Sequence, residues 1–213
     1  MSISKSLPAF LHRAPALVAL TSIALGTAPL ASAEARAPRR AASVQIAVAD
    51  EARPVNVVVN GSFELPALDD GTWNVFEEIR GWRTAAGPGI EIQRGVAGSP
   101  LDGAQHVELD SHASSAMYQI LDTQPDHRYL ITYWVSPRPG TAASDNRLAL
   151  SWDGAVIDRY AATDVGDDTA WVRREVIVTA HHRESRIQFA DVSESNSVGA
   201  YLDEVSVVDV STP

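Results

Sequence analysis

The chain of 213 residues contains no cysteine. No disulfide restrains its unfolded state, and no thiol is present for catalysis or for zinc. Stability must come from a core, helped by any metal the fold holds. The apolar run Ala14 to Leu25 is shorter than the roughly 20 residues a membrane-spanning helix needs. No second run of that length follows, so membrane insertion is not expected. Basic residues are in deficit, with 17 Lys and Arg against 27 Asp and Glu and a net charge of −10. That balance disfavours nucleic acid and anionic membrane as partners. No segment carries a sustained helical period, and no internal repeat is evident. Gly-x-Ser-x-Gly, His-Glu-x-x-His and phosphate-cradling glycine loops are absent as well, which removes the commonest hydrolase and nucleotide-binding signatures.

What is present begins with an export signal. Lys5, His12 and Arg13 form a basic start, Ala14 to Leu25 an apolar segment, and Ala31-Ser32-Ala33 a small-residue cleavage site. Residues 1–33 are read as a signal peptide cleaved near Ala33, which predicts a secreted protein, extracellular or periplasmic. Its removal takes away two basic residues and no acidic one, moving the net charge from −10 to −12. Residues 34–53, rich in Ala and Arg, read as a flexible leader. Residues 54–211 then form one domain long enough to bury a sizeable core.

From Pro54 onward short runs of Val, Ile, Leu, Tyr and Trp alternate with Gly, Pro, Asn and Asp about every ten residues. That spacing predicts an all-β, two-sheet antiparallel β-sandwich of the jelly-roll type. Expected strands are Val55–Asn60, Ile90–Arg94, Gln105–Leu109, Ala116–Leu121, Tyr129–Ser136, Arg147–Trp152, Val156–Ala161, Trp171–Thr179, Ser185–Ala190 and Tyr201–Val208. Asp153-Gly154 is a two-residue hairpin signal. Alternation assigns faces. Tyr129, Ile131, Tyr133 and Val135 should face the core and Trp134 outward. Val107 and Leu109 should point inward, with His106, Glu108 and Asp110 toward solvent.

The two ends of the domain carry motifs. Val59-Asn60-Gly61-Ser62-Phe63-Glu64 opens it, and Tyr201-Leu202-Asp203-Glu204-Val205-Ser206-Val207 closes it. Together they resemble the galactose-binding-like jelly roll, and Tyr129–Val135 is similar to the central strand of carbohydrate-binding modules of families 4, 9 and 22. Gly81-Trp82, Ile90-Glu91-Ile92-Gln93, Asp102–Asp110 and Ser136-Pro137-Arg138-Pro139-Gly140 most resemble the domain-of-unknown-function 642 family of plant cell walls and bacterial secreted proteins. Asp203-Glu204 departs from the usual pair of Asp, and the paired cysteines of plant members are missing. The resemblance implies a structural Ca²⁺ held by Glu64 and Asp203 with backbone carbonyls, chemistry that suits a hard cation. The alternative is that both carboxylates cap turns.

Sugar binding needs an aromatic face for the C–H side of a pyranose, flanked by groups that hydrogen-bond hydroxyls. Trp134, His106, Glu108, Asp110 and Arg138 are the first candidates. Trp73 and Phe76, in the acidic segment Leu68–Ile79, are the second, and either line a site or plug the sandwich end. Trp82 and Trp152 read as packing. An i, i+2, i+4 trio along a strand spans roughly 13 Å, too far for His106, Glu108 and Asp110 to share one metal ion. The expected function is a non-catalytic module that binds a polysaccharide or glycan. The alternatives are a structural or adhesive envelope protein that binds another protein, such as a cell-surface protein, and a jelly-roll polysaccharide lyase or hydrolase.

Overall fold

A computed structural model describes residues 55–211; the segments expected to be signal and leader, 1–33 and 34–53, lie outside the described residues. Twelve strands follow in chain order: β1 (Thr72–Phe76), β2 (Glu78–Ile79), β3 (Trp82–Ala86), β4 (Ile90–Arg94), β5 (His106–Glu108), β6 (Ala116–Asp122), β7 (Arg128–Ser136), β8 (Arg147–Trp152), β9 (Ala155–Ala161), β10 (Val172–Thr179), β11 (Glu184–Asp191) and β12 (Tyr201–Asp209). They form two six-stranded sheets, ordered β1-β4-β5-β12-β7-β10 and β2-β3-β6-β11-β8-β9. The pairings are antiparallel, and the fold is an all-β sandwich as the sequence predicts.

Alternating apolar side chains build the core. In β7, Tyr129, Ile131, Tyr133 and Val135 are 2% exposed or less, as expected for the inner face. An aromatic relay crosses the sandwich. Phe63 lies 5.6 Å from Trp82, Trp82 lies 6.1 Å from Phe189, and Phe189 meets Tyr133 edge-on at 5.1 Å. Trp152 stacks on Tyr129, so Trp82 and Trp152 are both packing residues. The β8–β9 hairpin turns at Asp153 and Gly154, both at positive φ, the geometry a two-residue turn demands. Where each sheet ends on this side, a polar clasp joins them. Arg174 of β10 pairs with Asp158 of β9 at 2.6 Å, and the Tyr133 hydroxyl donates to the same carboxylate at 2.9 Å.

Two expectations about strands fail. Val55–Asn60 is not a strand, because side chains take the place of its ladder. Gln119 accepts from Val59 N–H at 2.7 Å and donates to Val59 C=O at 3.0 Å. Asn56 Oδ1 accepts from the N–H groups of Val58 and Val207, and only an isolated bridge joins Asn56 to Val208. Conversely, the segment Leu68–Ile79 holds β1 and β2, and β3 follows directly. These strands are short, and β1 and β2 lie at the sheet edges, so their polar residues follow no clean alternation.

The two end motifs meet. The strand β12 carries a bulge between Asp203 and Ser206, with Glu204 at φ 47°. Val205 N–H donates to Gly61 C=O at 2.9 Å, and a Cβ on Gly61 would collide with the Val205 carbonyl. The Asn60 side chain holds the turn by accepting from Leu65 N–H and donating to Leu65 and Arg80 carbonyls. In the Asn60-Gly61-Ser62 triplet the asparagine is thus a turn residue.

Candidate functional site

The outer face of the first sheet carries a row of polar side chains. Cross-strand register sets Glu91 beside Glu108, Glu108 beside Tyr201 and Tyr201 beside Ser136; one step along, Trp73 stands beside Gln93 and Gln93 beside His106. Strand alternation sends all of these away from Ile90, Ile92 and Val107, which fill the core. The assignment of faces therefore holds. The expectation that His106, Glu108 and Asp110 meet solvent does not, because each is 0% exposed.

A roof of loops covers them. Arg138, from the loop after β7, sends Nη1 to both Glu108 oxygens at 2.8 and 2.6 Å, and Gly199 N–H adds a third hydrogen bond at 2.7 Å. The His106 ring lies 4.2 Å from Tyr201 and 6.1 Å from Trp171. Asp110 accepts from Asn196 N–H at 3.0 Å and stands outside the cleft. Alternation fixes a side chain's face but carries no information on what lies above it, and a central strand is where loops roof a sheet.

Gln93 ties the row together. Its Nε2 donates to Glu91 Oε1 at 2.7 Å and also to Glu108 Oε2, while its Oε1 accepts from the Tyr201 hydroxyl at 3.2 Å. The Arg138 loop is held in advance by buried Asn146, which accepts from Arg138 N–H at 2.7 Å and donates to Thr141 and Ala142. Such locked polar groups present fixed hydrogen-bonding directions to a ligand.

Burial sets the electrostatics. Glu108 is pushed up to about 7, mainly by desolvation and against the pull of Arg138, with Glu91 repelling it further. Glu91 is also raised by burial. His106 is pushed down to about 4 by desolvation first and by the Arg138 charge second.

Above this floor opens a cleft of about 280 Å³, walled by Trp73, His112 and Arg138 and floored by Glu91 and Gln93. Trp73 on edge strand β1 is 47% exposed, with its ring 5.8 Å from that of His112 in an edge contact. A larger hollow of about 640 Å³ beside Asp122, His182 and Arg183 offers no indole or phenol ring, and suits ligand recognition less well.

Of the expected ligand-binding residues, the fold brings Trp73 and Arg138 to the cleft and places Glu108 directly beneath, held by Arg138 and Gln93. Trp134 lies elsewhere on the outer face, half-buried between Asp203 and Arg173. Phe76 packs against the core instead of lining a site. Glu91, Gln93 and His112 were not anticipated. The pattern Ile90-Glu91-Ile92-Gln93 held the signal for the first two, since it puts both polar side chains on the face shared with Glu108.

Glu64 and Asp203 do converge, on the single loop Leu101–Gln105, but as acceptors of N–H groups. Glu64 Oε1 accepts from Ala104 and Gln105, both at 2.9 Å. Asp203 Oδ2 accepts from Leu101 at 2.9 Å and Asp102 at 3.0 Å, and Oδ1 from Glu204 at 2.7 Å. A calcium cage needs carbonyl and carboxylate oxygens turned inward; N–H groups turned inward do not fit one. Among the described residues no three His, Asp or Glu side chains gather in a metal-ligating group. As placed, the two carboxylates cap turns. Burial lifts Asp203 to about 7 while its three N–H partners pull it back.

No family model matches the chain. Its sequence is 26% identical over 159 residues to part of a multifunctional-autoprocessing repeats-in-toxin protein of Vibrio vulnificus; the match covers 73% of this chain and spans about 3% of that relative's length. Among solved structures, a Stig cyclase from Fischerella sp. TAU, in complex with an indole compound, superposes with a TM-score of 0.55 at 15% identity, covering 75% of this chain and 100% of the cyclase. A family 16 carbohydrate-binding module superposes less closely, with a TM-score of 0.48 at 15% identity over 72% of this chain and 99% of the module. At 15% identity the likeness to the cyclase is one of fold.

Proposed function

We propose that this chain is an exported, non-catalytic module that binds a glycan in the cleft beside Trp73. The observation that carries the reading is the exposed Trp73 indole, set against a locked row of polar groups, Glu91, Gln93 and Arg138. A pyranose offers one face of C–H groups and a rim of hydroxyls. The indole takes the first, and the carboxylate, amide and guanidinium take the second. The kinship with the domain-of-unknown-function 642 family belongs to this same reading, as does export through the signal at residues 1–33. A cell-surface protein bearing the glycan is the natural setting.

One observation favours a catalytic alternative: a carboxyl at about 7 next to a second carboxylate is the pattern of an acid catalyst. Yet Glu108 is fully buried and both its oxygens are engaged by Arg138, Gln93 and Gly199, so it has no path to a substrate. Binding is the better account.

The test is a glycan-array screen followed by calorimetry on the best ligand. Trp73→Ala should weaken binding at least about tenfold, as loss of a stacking aromatic does, while melting within a degree or two of the parent. Absence of binding to every polysaccharide, or full affinity in Trp73→Ala, would sink the proposal.

A further inference from the structure

One margin of the first sheet is open. β10 is its last strand, paired on one side with β7 and on the other with no strand among the described residues. Ala180 N–H donates to His127 C=O at 2.9 Å, which continues the β10–β7 ladder and fixes its phase. The even-numbered residues of β10 therefore bond to β7, and the N–H and C=O groups of Arg173, Glu175 and Ile177 point away from the sheet. Such a row is a template for one more strand. Neither proline nor a bulge interrupts it, because Val172–Thr179 runs in register with β7 throughout. The other edge strands suit pairing less. β1 and β2 are shorter, and β9 pairs with β8 across a break in register.

The side chains on this edge are self-complementary. A two-fold axis through Arg174 sets Arg173 of each copy opposite Glu175 of the other, and Val172 of each opposite Val176 of the other. Arg173 and Glu175 already lie 2.7 Å apart along the strand with both side chains half-exposed, so a second copy completes a ring of alternating charge. Val172, 44% exposed, gains an apolar neighbour. The two Arg174 that meet at the axis each keep their own Asp158 at 2.6 Å, so neither guanidinium faces the other unpaired. Moving the axis to Glu175 would set Glu175 opposite Glu175 and Arg174 opposite Val176. Between chains of net charge −10 that register is disfavoured.

We propose that β10 is a self-association edge, through which two copies pair antiparallel about Arg174 and join their first sheets into one. A seven-residue strand on each side is a small interface, roughly, so the dimer is weak and depends on concentration. Its consequence is a shared binding face. The two-fold axis stands perpendicular to the sheet, so both outer faces stay on the same side. The cleft beside Trp73 on β1 lies at the opposite margin and is left open in each copy. Two clefts on one face, roughly 50 Å apart by strand spacing, suit a long repeating ligand. The pairing itself does not depend on the glycan reading.

Sedimentation velocity on residues 34–213, the chain without its expected signal, tests it. The parent should pass from monomer to dimer between about 1 μM and 1 mM. Arg173→Glu and Glu175→Arg each give the edge charge of a single sign, and each should weaken association at least about tenfold. Mixing those two variants should give a heterodimer. Reversing both charges in one chain, Arg173→Glu with Glu175→Arg, should return association to within about threefold of the parent. A parent that stays monomeric to about 1 mM, single variants that associate as the parent does, or a double reversal that recovers nothing overturns the inference. Both positions are exposed, so all variants should melt within a degree or two of the parent. A blank glycan array would sink the binding proposal and leave the dimer standing, while a monomeric parent that still binds glycan does the reverse.

Discussion

Arg138→Ala removes the one cation that compensates Glu108. The Glu108 side chain is 0% exposed and that of Arg138 24% exposed, with 2.6 Å between Nη1 and Oε2. Breaking a buried pair by deleting one partner costs about 3–5 kcal/mol when the remaining charge has no escape. Here it has one, because Glu108 already titrates at about 7 and takes up a proton when the guanidinium is gone. Each unit by which pH exceeds its raised value costs about 1.4 kcal/mol, and the deficit therefore grows with pH. At about pH 8 we expect a loss of about 2–4 kcal/mol, equal to a fall in melting temperature of about 4–16 °C for a domain of this size. At about pH 5, where Glu108 is protonated in parent and variant alike, the difference should shrink to what the lost packing of the Arg138 stem accounts for. Differential scanning calorimetry at the two pH values measures it. A deficit below about 1 kcal/mol at the higher pH, or one that is the same at both, refutes the assignment of Glu108 as a buried acid held by Arg138.

Three other expectations follow from the geometry. Glu108 holds more protons folded than unfolded between its ordinary value of 4.5 and about 7, so its share of stability is intact below that window and lost as pH rises through it; Glu108→Gln should flatten that part of the stability–pH curve, and an unaltered slope counts against the raised value. Gly61→Ala drives a Cβ into the Val205 carbonyl and should cost at least about 2 kcal/mol in urea unfolding; near-parental stability would show that the end motifs do not press together there. A calcium chelator should leave the melting temperature unchanged, since Glu64 and Asp203 are occupied by backbone N–H groups; a fall of several degrees would restore the calcium clip.

Strands with clean alternation were legible in the sequence. Ile90–Arg94 and Arg147–Trp152 run between the same residues in the structure, and the two faces of Tyr129–Ser136 are as read. The failures share a cause. Val55–Asn60 has strand composition, but Gln119 and Asn56, far apart in the chain, satisfy its backbone with side chains. The edge strands around Trp73 were hidden because edge strands with one wet face and few residues lack a period. The site was half legible for the same kind of reason. Residue chemistry pointed to Trp73 and Arg138. That a roof of loops would bury His106 and Glu108, leaving Glu91 as the acid at the surface of the cleft, depends on segments separated by about a hundred residues in sequence.

The closing strand has one more consequence, for the order of events during biosynthesis. β12 is the last strand described, yet it sits between β5 and β7 in the middle of the first sheet and receives the opening motif on its bulge. A ribosome emits the chain from the other end. Until Tyr201–Asp209 has emerged, that sheet is two separate halves with open edges, and neither has a partner for its inner row of hydrogen bonds. Folding of this kind is dominated by distant pairings and is intrinsically slow. Until that strand is made, the nascent polypeptide holds the two halves of the sheet apart and this side of the sandwich stays open.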